Sequence, residues 1–340
     1  MPPLPVTLAT AAAAFALSWA LTAAVRRYAL AHAVLDQPNE RSSHVVPTPR
    51  GGGLAIVSAA LAGLVALAAM GIVPPRLLMA MGPGGLAIAA IGWIDDHGGV
   101  AARWRSLVHF AAAFWALWWL GGMPVLRFGI ADAPVGVGGW LLGALGIVWM
   151  TNLYNFMDGI DGIAGGQAVS VGVAGAALLA LAGSPSLAAV SLLLAAAAAG
   201  FLAWNWSPAR IFMGDVGSGT LGYLFAVLAV ASENAGAVPL MGWVVLMGVF
   251  VVDATITLVR RLLRGERVYQ AHRSHAYQRA VQAGMSHGRV SALVIALNAV
   301  LGLIALAAVL RPVLVVPALL AALALLGLVY LRVERLRPMR

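Results

Sequence analysis

The fold of this chain is decided where its apolar runs are interrupted by the stretch NLYNFMDGIDGIAGG, residues 152–166. Polar side chains recur there every three residues, at Asn152, Asn155, Asp158 and Asp161. If the segment continues as a helix, these side chains share one slowly drifting face. Amide and carboxylate oxygens on one face suit a hard divalent cation, and the four glycines allow a ligand to approach the backbone closely. We therefore predict that the rest of the chain is a scaffold that brings other polar clusters to this stretch.

The composition identifies a membrane protein. Of the 340 residues, 62% are hydrophobic and 10% are charged, which leaves too little polar surface for a soluble protein of this size. The chain has no cysteine, so disulfides and thiol chemistry are excluded. The first apolar run has no basic residue before it and is followed by Arg26 and Arg27, which favours a retained helix over a signal peptide.

Apolar runs between polar breaks predict the helices. A run of about 20 apolar residues is long enough to cross a bilayer as a helix. We place eleven helices, at 6–25, 52–70, 77–94, 106–120, 138–153, 163–182, 187–205, 217–232, 239–259, 290–310 and 313–331. The predicted fold class is therefore an all-α, polytopic transmembrane bundle that forms a single integral membrane domain over residues 1–340.

Arginine positions predict how the bundle lies in the membrane. All 21 basic residues are arginines, and the alternation of the helices puts 18 of them on one side. Only Arg76, Arg127 and Arg311 fall on the other side. The positive-inside rule makes the crowded side cytoplasmic, with the N-terminus outside and the C-terminus inside. The net charge of +9 is thus a topology signal that needs no nucleic-acid partner.

With this topology, the polar clusters all face the cytoplasm. They lie in five predicted active-site loops, at 26–52, 95–105, 152–166, 207–218 and 260–289. An ion-coupled secondary transporter is the alternative from another class, but it would place its acidic residues near the bilayer midplane. Only Asp253 lies deeper in a predicted helix, where we favour structural pairing slightly over catalysis.

Two adjacent acids, Asp95 and Asp96, end a predicted helix. Neighbouring anions repel each other and must be held by a cation or a proton, so a metal ion would satisfy them. A solvated helix end without a function is the alternative interpretation. Arg103 and Arg105 follow closely and can hold phosphate.

An aromatic residue and an acid form the next cluster. Asp215 follows Phe212 by three positions, so one helical turn would place the ring beside the carboxylate. The ring can stack on a nucleotide base, and the carboxylate can hold Mg²⁺ on the phosphates. A helix N-cap made by the Gly214-Asp215 pair is an equally weighted alternative.

The last predicted loop carries His272, Arg273 and His275. Guanidinium groups bind phosphate bidentately, and imidazoles can donate hydrogen bonds to phosphate or sugar oxygens. The His-x-x-His spacing also suits zinc, but no further soft ligand lies near and cysteine is absent, so a zinc site is disfavoured.

Together these motifs resemble a known family. Their order is Asp95-Asp96, then Asn152-x-x-Asn155-x-x-Asp158-Gly-x-Asp161-Gly, then Phe212-x-Gly-Asp215-x-Gly-Ser, then the histidine loop. This order is similar to that of the polyprenyl-phosphate N-acetylhexosamine-1-phosphate transferases, glycosyltransferase family 4. The first and last loops resemble the branch that initiates O-antigen and other surface polysaccharides. The phospho-N-acetylmuramoyl-pentapeptide translocase, the alternative within the family, carries a lysine shortly after its paired aspartates, where this chain has Gly99 and no lysine.

The resemblance implies a reaction and a set of roles. A phosphate oxygen of undecaprenyl phosphate attacks the β-phosphorus of a UDP-N-acetylaminosugar, which gives the lipid-diphosphate sugar and releases UMP. Mg²⁺, with Mn²⁺ as a substitute, is the implied cofactor. By position, the metal ligands are Asp215 and Asn155, the catalytic acids are Asp95, Asp96, Asp158 and Asp161, and the substrate-binding residues are Asn152, Asn155, Phe212, Arg50, His272, Arg273 and His275. A phosphate monoester with a second pKa of about 6 is already largely dianionic at neutral pH, so we expect Asp95 or Asp96 to orient the lipid phosphate rather than deprotonate it.

The resemblance also implies a location and partners. The expected location is the bacterial inner membrane, with the active site on its cytoplasmic face and membrane lipid around the bundle. The sequence leaves the aminosugar, the polysaccharide pathway and the assembly open, a homodimer being one assembly that it allows.

Overall fold

The computed structural model describes residues 4–37, 46–266 and 272–339. Residues 38–45 and 267–271, which belong to the predicted active-site loops 26–52 and 260–289, lie outside the described residues. Within the described residues, two short antiparallel hairpins occur, one pairing β1 (Leu35–Asp36) with β2 (Thr48–Pro49) and the other pairing β3 (Val125–Arg127) with β4 (Asp132–Pro134). The remaining elements are helical.

The part of the chain that the structure describes contains thirteen α-helices. They are α1 (Leu4–Ala31), α2 (Gly53–Ala69), α3 (Pro75–Gly98), α4 (Ala102–Leu120), α5 (Gly138–Phe156), α6 (Ile163–Leu181), α7 (Pro185–Asn205), α8 (Asp215–Asn234), α9 (Leu240–Leu246), α10 (Gly248–Leu263), α11 (Ala276–Gln282), α12 (His287–Leu310) and α13 (Val315–Leu336). Seven are long and apolar enough to cross a membrane, and α9 with α10 makes an eighth span if the bent pair counts as one. The predicted all-α, polytopic membrane fold is confirmed.

Each of the eleven predicted helices is present, but the ninth differs in shape. The run 239–259 is broken into α9 and α10, which meet at an angle of 83°. Gly248, the first residue of α10, packs so closely on α13 that an added Cβ would lie 2.8 Å from a methyl carbon of Leu326. Both halves are apolar, so hydropathy alone does not reveal the bend. The short helix α11 was not predicted, because it is no apolar run.

The polar stretch continues as a helix only in its first half. Helix α5 ends at Phe156, so Asn152 and Asn155 lie on a helix whereas Asp158 and Asp161 lie in the following loop. Gly162 ends this loop in the left-handed conformation, with φ of 76°. That conformation favours glycine and separates α5 from α6.

Helix α8 forms the centre of the bundle and is buried along almost its entire length. Its Tyr223 hydroxyl donates hydrogen bonds to the carbonyl oxygens of Ala80 in α3 (2.8 Å) and Ala112 in α4 (3.2 Å). Gly84 leaves the space for this phenol, because an added Cβ there would collide with it. The packing holds α3, α4 and α8 in register, and this register determines where α3 ends relative to the start of α8.

Candidate active site

The last turn of α3 meets the first turn of α8, and this contact brings the predicted acids together. Gly92 permits the close approach, because an added Cβ would lie 2.7 Å from the carbonyl carbon of Asp215. Gly214 precedes α8 with φ of 78°, and an added Cβ there would lie 2.6 Å from a carboxylate oxygen of Asp96. The sequence pairs Asp95-Asp96 and Gly214-Asp215 therefore share one place.

Asp96 caps helix α8 from another helix. Its two carboxylate oxygens accept hydrogen bonds from the backbone N–H groups of Asp215 (3.0 Å) and Val216 (3.3 Å), which have no partner within α8. The Asp96 side chain is 3% exposed and forms an ion pair with Arg50. The capping function considered for the Gly214-Asp215 pair thus belongs to Asp96, and Asp215 stays available for other contacts.

Asp95 is oriented differently from its neighbour. It accepts a hydrogen bond from the backbone N–H of Val100 (2.5 Å) and forms an ion pair with Arg105. Its carboxyl group also lies within hydrogen-bonding range of the carboxyl group of Asp215. Arg105 is 3.9 Å from Asp215, so one guanidinium serves both acids.

Arg50 is held at the site by its backbone neighbours. The carbonyl of Pro49 accepts from the N–H of Phe212 (2.8 Å), and the N–H of Gly52 donates to the carbonyl of Phe212 (2.9 Å). This pairing of two distant loops places the Arg50 guanidinium 3.5 Å from a carboxylate oxygen of Asp215. Phe212 is half-buried in the same pairing but precedes α8, so the predicted helical turn with Asp215 is absent, and its base-stacking role stays a prediction.

The amides of α5 line the other side of Asp215. Asn155 donates to the hydroxyl of Ser218 (3.2 Å) and is within hydrogen-bonding range of Asp215. Asn152 donates to the carbonyl of Val148 (2.7 Å), and its amide nitrogen lies 3.3 Å from a ring nitrogen of His109. A small cavity of about 30 Å³ lies between these groups; its polar lining comes from Asp95, Arg105, His109, Thr151, Asn152, Asn155 and Asp215.

Asp158, in the loop after α5, belongs to the same electrostatic cluster. Burial raises the pKa of its carboxyl group to about 7, and the negative charge of Asp215 adds to this rise while Arg50 opposes it. A carboxyl group with such a pKa is partly protonated at neutral pH. A cation placed between Asp158 and Asp215 would favour the charged form of both.

The donor set at this site fits a divalent cation. Asp95 and Asp215 share the Arg105 guanidinium, and their carboxylate oxygens are the ligand type that a hard divalent cation takes. Among the described residues, no three acidic or histidine side chains form a ready-made metal cage. Mg²⁺ is usually held by one or two carboxylates together with substrate phosphates, so the oxygens of Asp215, Asp95 and Asn155 suit an ion that is shared with a diphosphate.

Asp161 lies among different partners. His287 at the start of α12 contacts its carboxylate at 3.2 Å, and the backbone N–H of Ala209 donates to it at 3.2 Å. Burial alone would raise the pKa of Asp161, but the contacts with His287 together with the hydrogen bonds from Ala209 and Ser207 leave the pKa below its usual value. The catalytic role predicted for Asp161 stays a prediction, and its contacts favour a positioning role. No pattern in the sequence pairs it with His287.

Asn205 is a second residue that sequence interpretation missed. Its side-chain oxygen accepts from the N–H of Gly162 (3.0 Å), and its amide donates to the carbonyl of Ile211 (2.9 Å). The residue is buried at the end of α7 and ties the Asp158–Asp161 loop to the segment before Phe212. It closes an apolar run, where nothing in the sequence distinguishes it from an ordinary helix end.

Substituting Asn205 by leucine is expected to destabilise the protein. The backbone groups of Gly162 and Ile211 would stay buried without partners, and each such loss costs about 1–3 kcal/mol. Thermal unfolding of the purified protein, followed by tryptophan fluorescence, should show a clearly lower Tm. Ser170→Ala is the control, because that hydroxyl only donates to the carbonyl of Gly166 in its own helix. Equal Tm values for the two variants would contradict this role of Asn205.

Asp253 organises the histidine loop. Its carboxylate accepts hydrogen bonds from the backbone N–H groups of Ala276 (2.7 Å) and Tyr277 (3.1 Å), so it caps α11 in the way that Asp96 caps α8. A ring nitrogen of His275 lies 3.5 Å away. These contacts agree with the structural pairing favoured for Asp253, although the partners are a helix end and a histidine.

The loop of α11 docks on the polar stretch. The Tyr277 hydroxyl donates to the carbonyl of Phe156 (3.1 Å), and Gly159 leaves the space for this ring. The rings of His272 and His275 lie 4.8 Å apart. Burial lowers the pKa of His272 to about 3, and the charge of His275 contributes, so His272 is neutral at physiological pH.

Arg273 lies between these two histidines in the chain. Its carbonyl accepts a hydrogen bond from the side-chain amide of Gln282 (2.9 Å). The predicted substrate-binding loop thus forms a layer beside the acidic cluster, joined to it through Phe156 and Gly159. The other predicted residues, Arg50, Asp95, Asp96, Asn152, Asn155, Asp158 and Asp215, converge in the cluster itself.

Comparisons with known proteins agree with this geometry. The sequence signature described as glycosyl transferase family 4 matches residues 78–233, which extend from α3 through α8. A probable undecaprenyl-phosphate N-acetylglucosaminyl 1-phosphate transferase of Bacillus subtilis is 32% identical over 282 residues, which cover 81% of this chain and 77% of that protein. A decaprenyl-phosphate N-acetylglucosaminephosphotransferase of Mycobacterium tuberculosis is 32% identical over 310 residues, which cover 81% and 75%.

A phospho-N-acetylmuramoyl-pentapeptide-transferase of Picosynechococcus is similar over a shorter region. It is 31% identical over 226 residues, which cover 63% of this chain and 59% of that protein. The predicted family is confirmed by these matches. This chain belongs to glycosyl transferase family 4 and is a membrane-embedded transferase of the polyprenyl-phosphate sugar-phosphate class.

Proposed function

We propose that this transferase moves an N-acetylaminosugar 1-phosphate from a UDP-sugar to undecaprenyl phosphate and thereby initiates O-antigen or another surface polysaccharide. A phosphate oxygen of the lipid bonds to the β-phosphorus of the UDP-sugar, the bond from that phosphorus to the bridging oxygen breaks, and UMP leaves with the electron pair. The observation that carries the proposal is the convergence of Asp95, Asp215, Asn155, Arg50 and Arg105 at one end of the bundle. Phosphoryl transfer needs mainly such positioning and charge neutralisation.

The residues of the cluster divide this work. Arg50 and Arg105 contact the acids now and can pair with phosphate oxygens when substrate enters, because guanidinium groups bind phosphate bidentately. Asp95, held by Val100, orients the lipid phosphate rather than removing a proton. Mg²⁺ held by Asp215 and Asn155 would neutralise the diphosphate and stabilise the leaving UMP.

The neighbouring residues are proposed to bind the nucleotide and the sugar. Phe212 is proposed to stack on the uracil, with Asn152 and Asp158 shaping the same side of the pocket. The layer of His272, Arg273 and His275 is proposed to contact the sugar and its diphosphate. The two N-acetylglucosamine transferases match this chain over a larger share than the peptidoglycan enzyme does, which supports N-acetylglucosamine as the first sugar to test.

The lipid acceptor needs an apolar path from the bilayer to the cluster. A groove of about 140 Å³ runs between α5, α8, α9 and α10 and includes Gly146, Ile147 and Met150. Met150 is one and a half turns from Asn155 on α5, about 7 Å along the helix axis. We infer that this groove, opened by the bend between α9 and α10, receives the first isoprene units.

Gly146→Leu is expected to raise the KM for the polyprenyl phosphate without changing the KM for the UDP-sugar. An added Cβ at Gly146 meets no atom within 4 Å, so the new side chain fills the groove without a clash. Gly327→Leu is the matched control, because that helical glycine also has open space and lies on α13. Initial rates at varied lipid concentration give the KM for the polyprenyl phosphate in each variant. An unchanged KM for the lipid in Gly146→Leu would remove the groove from the acceptor path.

The family membership argues against the alternative of an ion-coupled transporter. We place the catalytic end of the bundle at the cytoplasmic face of the bacterial inner membrane, because that end carries the crowded arginines. The proposed substrate, a UDP-sugar, is a cytoplasmic metabolite, which agrees with a catalytic end at the cytoplasmic face. A homodimer is compatible with the fold and is not required for the site.

The proposal is tested by UMP release from purified protein. We expect one UMP per lipid-linked sugar from undecaprenyl phosphate and a suitable member of a panel of UDP-N-acetylaminosugars, with loss of activity after chelation of divalent cations and recovery with Mg²⁺. Undecaprenol, which lacks the phosphate, should give no UMP. Failure of the whole panel with both undecaprenyl and decaprenyl phosphate would overturn the proposed reaction.

A further inference from the structure

A second cavity lies at the end of the bundle opposite to the acidic cluster. It has a volume of about 530 Å³ and is lined by the starts of α3 and α7, the ends of α4 and α8, and strand β3. Helix α3 has Arg76 at the cavity and Asp95 at the acidic cluster, 19 residues later. At 1.5 Å per residue the two sites are about 28 Å apart, which is close to the thickness of the hydrocarbon core.

The cavity has an excess of positive charge. Arg127 lines it but is balanced, because it lies 3.9 Å from the buried carboxylate of Glu233 and 4.0 Å from Asp132. Arg76 also lines it, and within the described residues no acidic side chain pairs with it. Helix α7 begins at the cavity, and its N-cap Ser184 gives no side-chain hydrogen bond to that end. A free guanidinium beside a helix N-terminus favours an anion.

The helix ends of opposite polarity do not cancel this preference. Helices α4 and α8 end at the same cavity, where their carbonyl groups would favour a cation. The side-chain amide of Asn234 already donates to the carbonyls of Leu120 (3.1 Å) and Gly122 (2.8 Å). The Arg127 guanidinium likewise donates to the carbonyl of Glu233. These three carbonyl oxygens have partners within the protein, whereas the buried side-chain oxygen of Asn234 has none.

The distribution of arginine makes this cavity unusual. Among the arginines that the structure describes, Arg76, Arg127 and Arg311 belong to this end of the bundle, and the first two line the cavity. Arginine is disfavoured at the face opposite to the crowded one, so two together need a local reason. Leu77, Val125 and Leu187 give the same cavity an apolar part.

We propose that this cavity binds the phosphate headgroup of an anionic phospholipid in the leaflet opposite to the catalytic one. The volume lies within the range of about 300–1,000 Å³ that is usual for small-molecule sites. Arg76 and the start of α7 hold the phosphate, and the apolar lining contacts the beginning of the acyl chains. This site is separate from the acceptor path and is independent of the proposed reaction.

The test is lipid retention by native mass spectrometry of the full-length protein. Wild type is expected to retain phosphatidylglycerol in preference to phosphatidylcholine. Arg76→Gln is expected to retain about fivefold less phosphatidylglycerol, since one arginine near a membrane surface contributes about 1 kcal/mol toward anionic lipid. Arg311→Gln, on the same face but outside the cavity, should behave as wild type. Transferase activity should be unchanged in both variants, because neither residue belongs to the catalytic cluster.

Two results would overturn the proposal. Equal retention of phosphatidylglycerol by wild type, Arg76→Gln and Arg311→Gln would show that the cavity has no selective role. The second result comes from adding inorganic phosphate. If it raises the Tm of wild type but not of Arg76→Gln in lipid-free detergent, and displaces the retained phosphatidylglycerol, the ligand is free phosphate and the lipid assignment is wrong.

Discussion

Asp215→Asn is expected to reduce the rate of sugar-phosphate transfer by at least about 100-fold while the protein stays folded. The substitution keeps the size of the side chain and removes the negative charge that faces Asp95, Arg50 and Arg105. The cap on α8 survives, because it depends on the backbone N–H of Asp215 and on Asp96. The measurement is UMP release at saturating UDP-sugar and lipid phosphate, together with the Tm.

Asp132→Asn is the matched control for this prediction. Asp132 lies at the opposite end of the bundle, in strand β4, and its side chain is 62% exposed. Removing that charge should leave the rate within about twofold of wild type. Full activity of Asp215→Asn would remove both the metal-ligand and the phosphate-positioning roles from this residue.

Asp96→Ala and Asp95→Asn are expected to fail in different ways. Asp96→Ala removes the buried partner of Arg50, which still contacts Asp215, and leaves two N–H groups of α8 without an acceptor. Each unpaired N–H costs about 1–3 kcal/mol, so we expect a clearly lower free energy of unfolding. Asp95→Asn relieves a contact between two acids and should leave the Tm near that of wild type. Its activity should nevertheless fall, because the lipid phosphate loses its orienting group.

Thermal unfolding and UMP release on the same preparations separate these outcomes. If Asp95→Asn is the less stable of the two single variants, the structural and functional roles have been assigned to the wrong acids.

Much of the architecture was predictable from the sequence for a simple physical reason. A membrane-spanning helix pairs its backbone groups internally and exposes apolar side chains to the hydrocarbon over about 20 residues. Long apolar runs in the sequence are the visible result. The run that became α3 and the run that became α8 were recognised in this way. The bend between α9 and α10 was not, because hydropathy averages over both halves and the crowding at Gly248 comes from α13, far away in the chain.

The sequence predicted which residues belong to the candidate site, but not which hydrogen bonds and ion pairs they form. Acids at helix ends identified Asp95, Asp96 and Asp215, yet the sequence does not distinguish the acid that caps α8 from the one that faces it. Asp253 and Asn205 hold backbone groups of distant segments, and such contacts leave no periodic pattern. The spacing of Asn152, Asn155, Asp158 and Asp161 allowed one helical face, and the sequence did not decide between this face and the loop 152–166 in which both aspartates lie.

The glycine contacts between α3 and α8 determine how the enzyme behaves between turnovers. At Gly92 the main chain of α3 lies against the main chain of Asp215, and at Gly214 the chain before α8 lies against the carboxylate of Asp96, so the scaffold sets the spacing of the two helix ends. After UMP and the lipid product depart, the electrostatic repulsion is already in place for the next round. We therefore expect the helix ends that carry the acids to be in place before substrate binds.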